Sequence, residues 1–280
     1  MKKIKSTTAF LNDPETNEVL YKQSYIEYDE NGKVLITEDW ADETELTSKT
    51  VSRYSDKGNL IEEIIYSSEK EISDKTVYLR DDNDEIERVE REYGDGSKTI
   101  QIVEIDNEHK IRIYTTTDEE GEFDGKEIYK FNEQKNITEK IIYNFENIIE
   151  EHIQYEYDGE KIVLQTEFES DGKIFAIKKY VYDTNNNLTE VITTNTKGAI
   201  ISRATYTYDS QNRITEQKIS NSYVIKFSYD DEKNIKIEER FNKVDMLVQR
   251  TEYIYNEEQL LLEERTPLSL ITYSYDFFEE

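Results

Sequence analysis

The chain offers few side chains with catalytic potential and a great many carboxylates. Its two histidines, His109 and His152, stand in DNEHKI and EEHIQY. Neither has a nucleophile at a fixed spacing and no G-x-S-x-G elbow occurs, so a Ser–His triad has no basis and a solvated or cross-strand His is expected at both positions. The absence of Cys excludes thiolate catalysis, disulfides and Cys-ligated metals. No P-loop or dinucleotide-binding glycine motif is present. Acidic turns such as DDNDE (81–85), DENG (29–32) and ESDG (169–172) lack the ligand spacing and flanking helices of an EF-hand, which leaves only weak turn-based Ca²⁺ sites open. With 63 acidic residues, some carboxylate pair reaches glycosidase-like separation by chance, so no acid/base pair can be nominated. The expectation is a non-enzymatic chain with no cofactor.

The side chains with binding potential are tyrosines, one tryptophan and stacked glutamates, and their spacing points to the elements that carry them. The phrase ATYTYDSQNRITEQ (204–217) recurs as YVYDTNNNLTEV (180–191), YEYDGEKIVLQT (155–166), FSYDDEKNIKIE (227–238), YIYNEEQLLLEE (253–264) and YKFNEQKNITEK (129–140). Taking the second aromatic as an anchor, the units align at Tyr28, Tyr54, Arg80, Ile105, Phe131, Tyr157, Tyr182, Tyr208, Tyr229, Tyr255 and Tyr275. The spacing is 25 or 26 residues except before Tyr229 and Tyr275, where it falls to 21 and 20. Such periodicity marks a repeat architecture with no internal domain boundary, so residues 1–280 are expected to form a single repeat domain. Each unit contains two turn signals, one after the anchor (DENGK, SDKGN, DTNNN) and one halfway along (FESDGK, TNTKG, FNKVD). Asp caps such turns, and Gly or Asn accepts the positive φ they require. Period-2 alternation between the turns predicts strands of about eight residues.

The predicted fold is therefore all-β: an antiparallel hairpin meander of about 21 strands, twisting into an elongated or spiral open sheet with unpaired terminal edges. A two-faced solenoid with one coil per repeat is the structural rival. Within the apolar face runs a column of Glu38, Glu62, Glu139, Glu190, Glu216 and Glu263, expected at the solvated margin, with a ligand-binding groove as the alternative. Trp40 aligns with Tyr66, Tyr143 and Phe168, which favours packing over a ligand platform. The candidate partner-binding residues are Trp40, the paired aromatics Tyr180 and Tyr182, Tyr206 and Tyr208, Tyr253 and Tyr255, and the column residues Glu190 and Glu216.

Composition narrows the partners. Hydrophobic and charged residues each make up 35% of the chain, with 22 Tyr; this suits a thin sheet with wet strands better than a conventional core or a disordered chain. The formal net charge of −28 repels nucleic acid and anionic membranes and attracts a basic protein. The same charge also serves to keep strand edges soluble. No run approaches the 18 apolar residues of a spanning helix, and the N-terminal MKKIKSTTAFLNDPE has no signal-peptide pattern, so a cytoplasmic location is expected.

The pattern Y-x-Y-D-x-x-x-[NR]-[IL]-T-E, best at Tyr180–Glu190 and Tyr206–Glu216 and looser in YDENGKV and YSDKGNL, resembles the YD repeats of bacterial Rhs proteins and insecticidal toxin-complex shell subunits. In that family, arrays of β-hairpins spiral into a hollow shell that holds a toxic C-terminal domain. This sequence departs from the family in being far too short for such a shell, in lacking the autoproteolytic core motif and toxin domain, and in having a longer period. The resemblance implies an open curved sheet and a setting in interbacterial competition or secretion, and it carries over no catalytic residue. Together with the charge, it leads to the expectation of a protein-binding scaffold serving as immunity protein, chaperone or adaptor for a basic partner. A carbohydrate-binding repeat protein using its Tyr rows is the alternative, and a polysaccharide-cleaving enzyme comes third.

Overall fold

The computed structural model describes residues 2–279. Among these the secondary structure is entirely β: 22 strands, from β1 (Ile4–Asn12) and β2 (Val19–Tyr28) through to β21 (Leu261–Arg265) and β22 (Leu270–Phe277). Each strand pairs antiparallel with its neighbours in sequence, as a hairpin meander requires and a coiled solenoid does not.

The strands do not form an open sheet. β22 pairs with β1 over Thr8↔Ser274, Leu11↔Ile271 and the residues between and around them, closing the meander into a 22-stranded barrel. This corrects both the predicted spiral and the predicted unpaired edges. The physical reason lies in sheet geometry. At about 4.8 Å per strand, 22 strands make a strip about 105 Å wide, and twist and coiling bend such a strip. A bulge near the end of most strands, as at Arg53/Tyr54 and Val181/Tyr182, adds to the bend. Here the strip serves as a circumference. Closure also removes the exposed edges that would otherwise template aggregation. β1, which lacks the repeat phrase, is the strand that joins the two ends.

Most hairpin turns share one design at both ends of the barrel. Asp29 N–H donates to Lys33 O at 2.8 Å, Gly32 N–H donates to Asp29 O at 3.0 Å, and Gly32 has φ of 81°. The Asp29 carboxylate accepts from the N–H groups of Asn31 and Lys33, both at 2.8 Å. Asp183 repeats the arrangement with Asn186 at φ 70°, and Asn195 does so with Gly198 at φ 77°.

The barrel has almost no conventional core. Ala9, Leu46, Ala176 and Leu270 are its only buried hydrophobic residues among those described. The accessible surface is 18151 Å², whereas a compact monomer of this mass exposes about 12,600 Å². Side-chain hydrogen bonds, ion pairs and aromatic contacts join neighbouring strands or neighbouring hairpin tips, as in Lys49–Glu38 and Tyr114–Tyr129. Both faces of the sheet are therefore extensively wet, and stability rests on the backbone ladder and on half-buried cross-strand pairs.

Candidate functional site

Six of the eight anchor tyrosines share one side-chain contact between neighbouring strands. Tyr54, at the end of β4 (Leu46–Tyr54), donates its hydroxyl to Val34 O at 2.9 Å. Tyr157, Tyr182 and Tyr208 do the same to Ile137 O, Ile162 O and Leu188 O at 2.6, 2.9 and 2.8 Å. In each case the acceptor is the first aliphatic residue of the neighbouring strand, 20 positions back. Arg80 takes the place of Tyr in its unit and reaches the equivalent carbonyl, Leu60 O, at 3.5 Å. These latches, with the turns at 29–33, 55–59 and their equivalents, make one end of the barrel an anchor rim. Tyr229 and Tyr275 latch across only 15 and 14 positions, to Ile214 O and Leu261 O. The residues missing from the two short repeats have thus been removed from the opposite end, the distal rim.

Three members of the glutamate column, Glu38, Glu62 and Glu139, are buried or half-buried and paired instead of lying at a solvated margin. Glu38 accepts from Lys22 and Lys49 at 2.8 and 3.0 Å, and Glu62 pairs with Arg53 and Lys75, both at 2.8 Å. Glu139 accepts from His152 Nε2 at 2.9 Å, Gln154 Nε2 at 2.8 Å and Lys130 Nζ at 2.5 Å, and its side chain is only 11% exposed. Burial by itself would raise the Glu139 pKa, but the bonds from Gln154, Lys130 and His152 outweigh it and hold the carboxyl at about 2. The same opposition, with Lys22 and Lys49 as donors, lowers the pKa of Glu38. Hydrogen bonding from Lys75 lowers that of Glu62 against a smaller effect of burial. The sequence shows the stacked acids, but their bases sit on other strands and become partners only once the register is set. His152 is a cross-strand residue stacked on Phe168 at 4.3 Å between ring centroids, whereas His109 is exposed and pairs with Asp106 in its own turn.

The predicted partner-binding residues do not converge. Glu190 lies opposite Val181 and Thr205, and Glu216 opposite Thr207 and Lys226, on the face that carries the glutamate column. Tyr180, Tyr206 and Tyr253 pair with Val191, Gln217 and Glu264, on the other face. Glu190 is tied to Arg203 at 3.0 Å and Tyr180 to Gln165 at 2.8 Å. The hydroxyls of Tyr182 and Tyr208 belong to the latches, and Tyr255 holds the corresponding strand-end position. Trp40 ends β3 (Val34–Trp40) beneath Lys22, whose Nζ lies 4.4 Å from the ring centroid, and its indole nitrogen is buried without a hydrogen-bond partner. These nine residues are spread over two opposite faces and do not form one surface.

What sequence reasoning missed is the distal rim. Of the twenty exposed large hydrophobic residues, fifteen lie there; the other five are Ile61, Leu79, Ile102, Leu262 and Phe277. Within this rim the shortened hairpin β17–β18 (Ile214–Ile219 and Tyr223–Asp230) is recessed, with only three ladder pairs. A cavity of about 770 Å³ opens beside it, lined by Glu216, Lys218, Tyr223, Lys226 and Val244 among others. The irregular spacings before Tyr229 and Tyr275 were the available signal for this notched rim.

No family model and no curated protein matches the chain. Among solved structures, it is similar to a chain of a complex described as TcdB2-TccC3-Cdc42, at 12% identity and a TM-score of 0.41. That alignment covers 88% of this chain and 15% of the other, so this chain spans a small part of that neighbour's length. It is also similar to a porin-like protein from Bacteroides uniformis ATCC 8492, at 10% identity and a TM-score of 0.38, with 98% of this chain and 96% of that one covered. Neither likeness reaches a TM-score of 0.5.

Proposed function

We propose that this chain is a non-enzymatic bacterial protein-binding scaffold, an adaptor, chaperone or immunity protein for a basic partner that it attracts electrostatically. The carrying observation is where its charge remains uncompensated. There are 63 acidic and 35 basic residues, and more than half of the basic side chains already face carboxylates. The surplus acid is therefore free to act on a partner, and a field of this size accelerates encounter with a cation.

Two further observations support this reading over its rivals. Engagement of the Tyr182 and Tyr208 hydroxyls in latches leaves the aromatic rows poorly suited as sugar platforms. Charged residues occur on both faces of the strands, for example Arg53 and Glu62 on one and Lys178 and Glu167 on the other. An apolar belt of about 25 Å, which a lipid-facing barrel wall needs, is thus interrupted on either side. The test is titration with poly-L-lysine and poly-L-glutamate at 50 and 500 mM NaCl. Binding of the polycation alone, weakening at least tenfold at the higher salt, is expected; equal affinity at both salts would remove the electrostatic basis.

A further inference from the structure

The distal rim differs from the anchor rim in carrying most of the exposed apolar side chains and, along one arc, in how its charge is balanced. On the anchor rim, several acids are met by bases: Lys57 faces Asp84, Arg112 faces Glu85, Lys110 faces Glu133, and Arg213 faces both Asp209 and Asp231, while others, Glu30, Asp56 and Glu257 among them, have no ion-pair partner among the described residues. On the distal rim, the hairpin ends from β1–β2 to β11 (Ile137–Tyr143)–β12 (Ile149–Asp158), residues 13–20, 41–46, 67–72, 94–98, 119–124 and 144–150, hold fifteen carboxylates and two lysines. Among the described residues none of these fifteen carboxylates has an ion-pair partner. Several cap their own turns, as Asp13 and Asp42 do through backbone N–H groups.

The same hairpin ends expose apolar side chains beside those acids. Val19 (59% exposed) and Leu20 follow Glu18; Ile72 follows Glu71; Phe123 sits between Glu122 and Asp124; Phe145 (66% exposed) precedes Glu146, and Ile148 lies two residues further on. Exposed apolar groups gathered at one rim mark an interaction surface, and interleaved carboxylates specify what covers it. A second copy of the chain fits poorly, because two acidic arcs would meet.

The geometry points to this arc of the distal rim as the docking surface for a cationic, amphipathic polypeptide segment of the partner, whose basic side chains meet the tip carboxylates while its apolar face covers Phe123 and Phe145 on neighbouring hairpins. The inference rests on the proposed basic-partner reading and adds the place and the amphipathic requirement. It predicts that apolar content and charge in the partner are recognised together at one rim, while the other rim contributes only long-range field.

Two peptides of equal charge separate the possibilities: an amphipathic Lys–Leu 14-mer and a Lys–Ser 14-mer, titrated against the full chain at 150 mM NaCl. Three variants accompany the parent: a distal charge set (Glu71→Gln, Glu122→Gln, Glu146→Gln), a distal apolar set (Phe123→Ser, Phe145→Ser), and an anchor-rim set removing equal charge (Glu30→Gln, Asp56→Asn, Glu257→Gln). All substituted side chains are solvent-facing, and circular dichroism checks that each variant folds. Each distal set should weaken Lys–Leu binding at least tenfold, and the anchor-rim set less than threefold. Equal losses at both rims, or equal affinity for Lys–Ser and Lys–Leu, would overturn the assignment of the surface and leave the electrostatic reading standing. Failure of both peptides and of poly-L-lysine to bind would remove both. Sedimentation showing a dimer of the parent that the distal apolar set abolishes would reassign the rim to self-association.

Discussion

At the scale of single residues, the glutamate column shows how neighbours on other strands decide the chemistry of a side chain. Glu139 is held at a pKa of about 2 because Gln154, Lys130 and His152 donate to it in a site where burial alone would favour its protonation. A carboxyl whose pKa is lower folded than unfolded stabilises the fold fully above its unfolded value, and that contribution disappears as pH falls through the folded value. For Glu139 the window runs from about pH 4.5 down to about pH 2, and the contribution at neutral pH is of order 3 kcal/mol. Glu139→Gln should lower the urea midpoint at pH 7, and the gap to the parent should narrow at pH 2.5. A gap of unchanged size at both pH values would show that the ionised carboxylate is not what stabilises this site.

At the scale of the element, the repeat unit is a hairpin whose last tyrosine fastens it to the strand beside it. The feature shared by the latches is the acceptor, the carbonyl of the first aliphatic residue of a strand, and Arg80 shows that the donor need not be an aromatic. Tyr208→Phe removes one hydroxyl and leaves Leu188 O without that donor, for a cost of about 1 kcal/mol. Tyr255→Phe is the matched control, since its hydroxyl has no hydrogen-bond partner among the described residues, and it should change stability by less than about 0.5 kcal/mol. Urea unfolding of the two variants checks this; equal effects would mean that the ring, and not the hydroxyl, is what the position requires. The hairpins themselves were legible in the amino-acid sequence, because turn formation is local: Asp183, Asn185, Asn186 and Asn187 hold within five residues both the cap and the positive φ that it needs. The glutamate pairings were not legible, because Lys49 meets Glu38 only when strand register is known.

At the scale of the whole molecule, the proposed docking rim depends on closure. A closed ring has two rims, and here they differ: one carries the tyrosine latches, the other most of the exposed apolar side chains and, along one arc, carboxylates with no ion-pair partner among the described residues. Closure is directly testable in a chain that has no Cys. Thr8 and Ser274 lie directly opposite each other on β1 and β22, so Thr8→Cys with Ser274→Cys should form an intramolecular disulfide under mild oxidation. In an open sheet about 100 Å wide the two positions would be too far apart. Absence of the cross-link in a folded, oxidised double variant would refute the barrel.

The amino-acid sequence by itself determined that the chain is all-β, that its strands pair as successive hairpins, and that its surface is acidic, because turn chemistry, side-chain alternation and charge are each carried by residues close together in the chain. The closed ring, the pairing of Glu38, Glu62 and Glu139, and the placing of apolar tips on one rim were decided only in the tertiary structure. Each of these depends on accumulated strand twist and register across 22 strands, which brings together residues as distant as Thr8 and Ser274 and which no local phrase encodes.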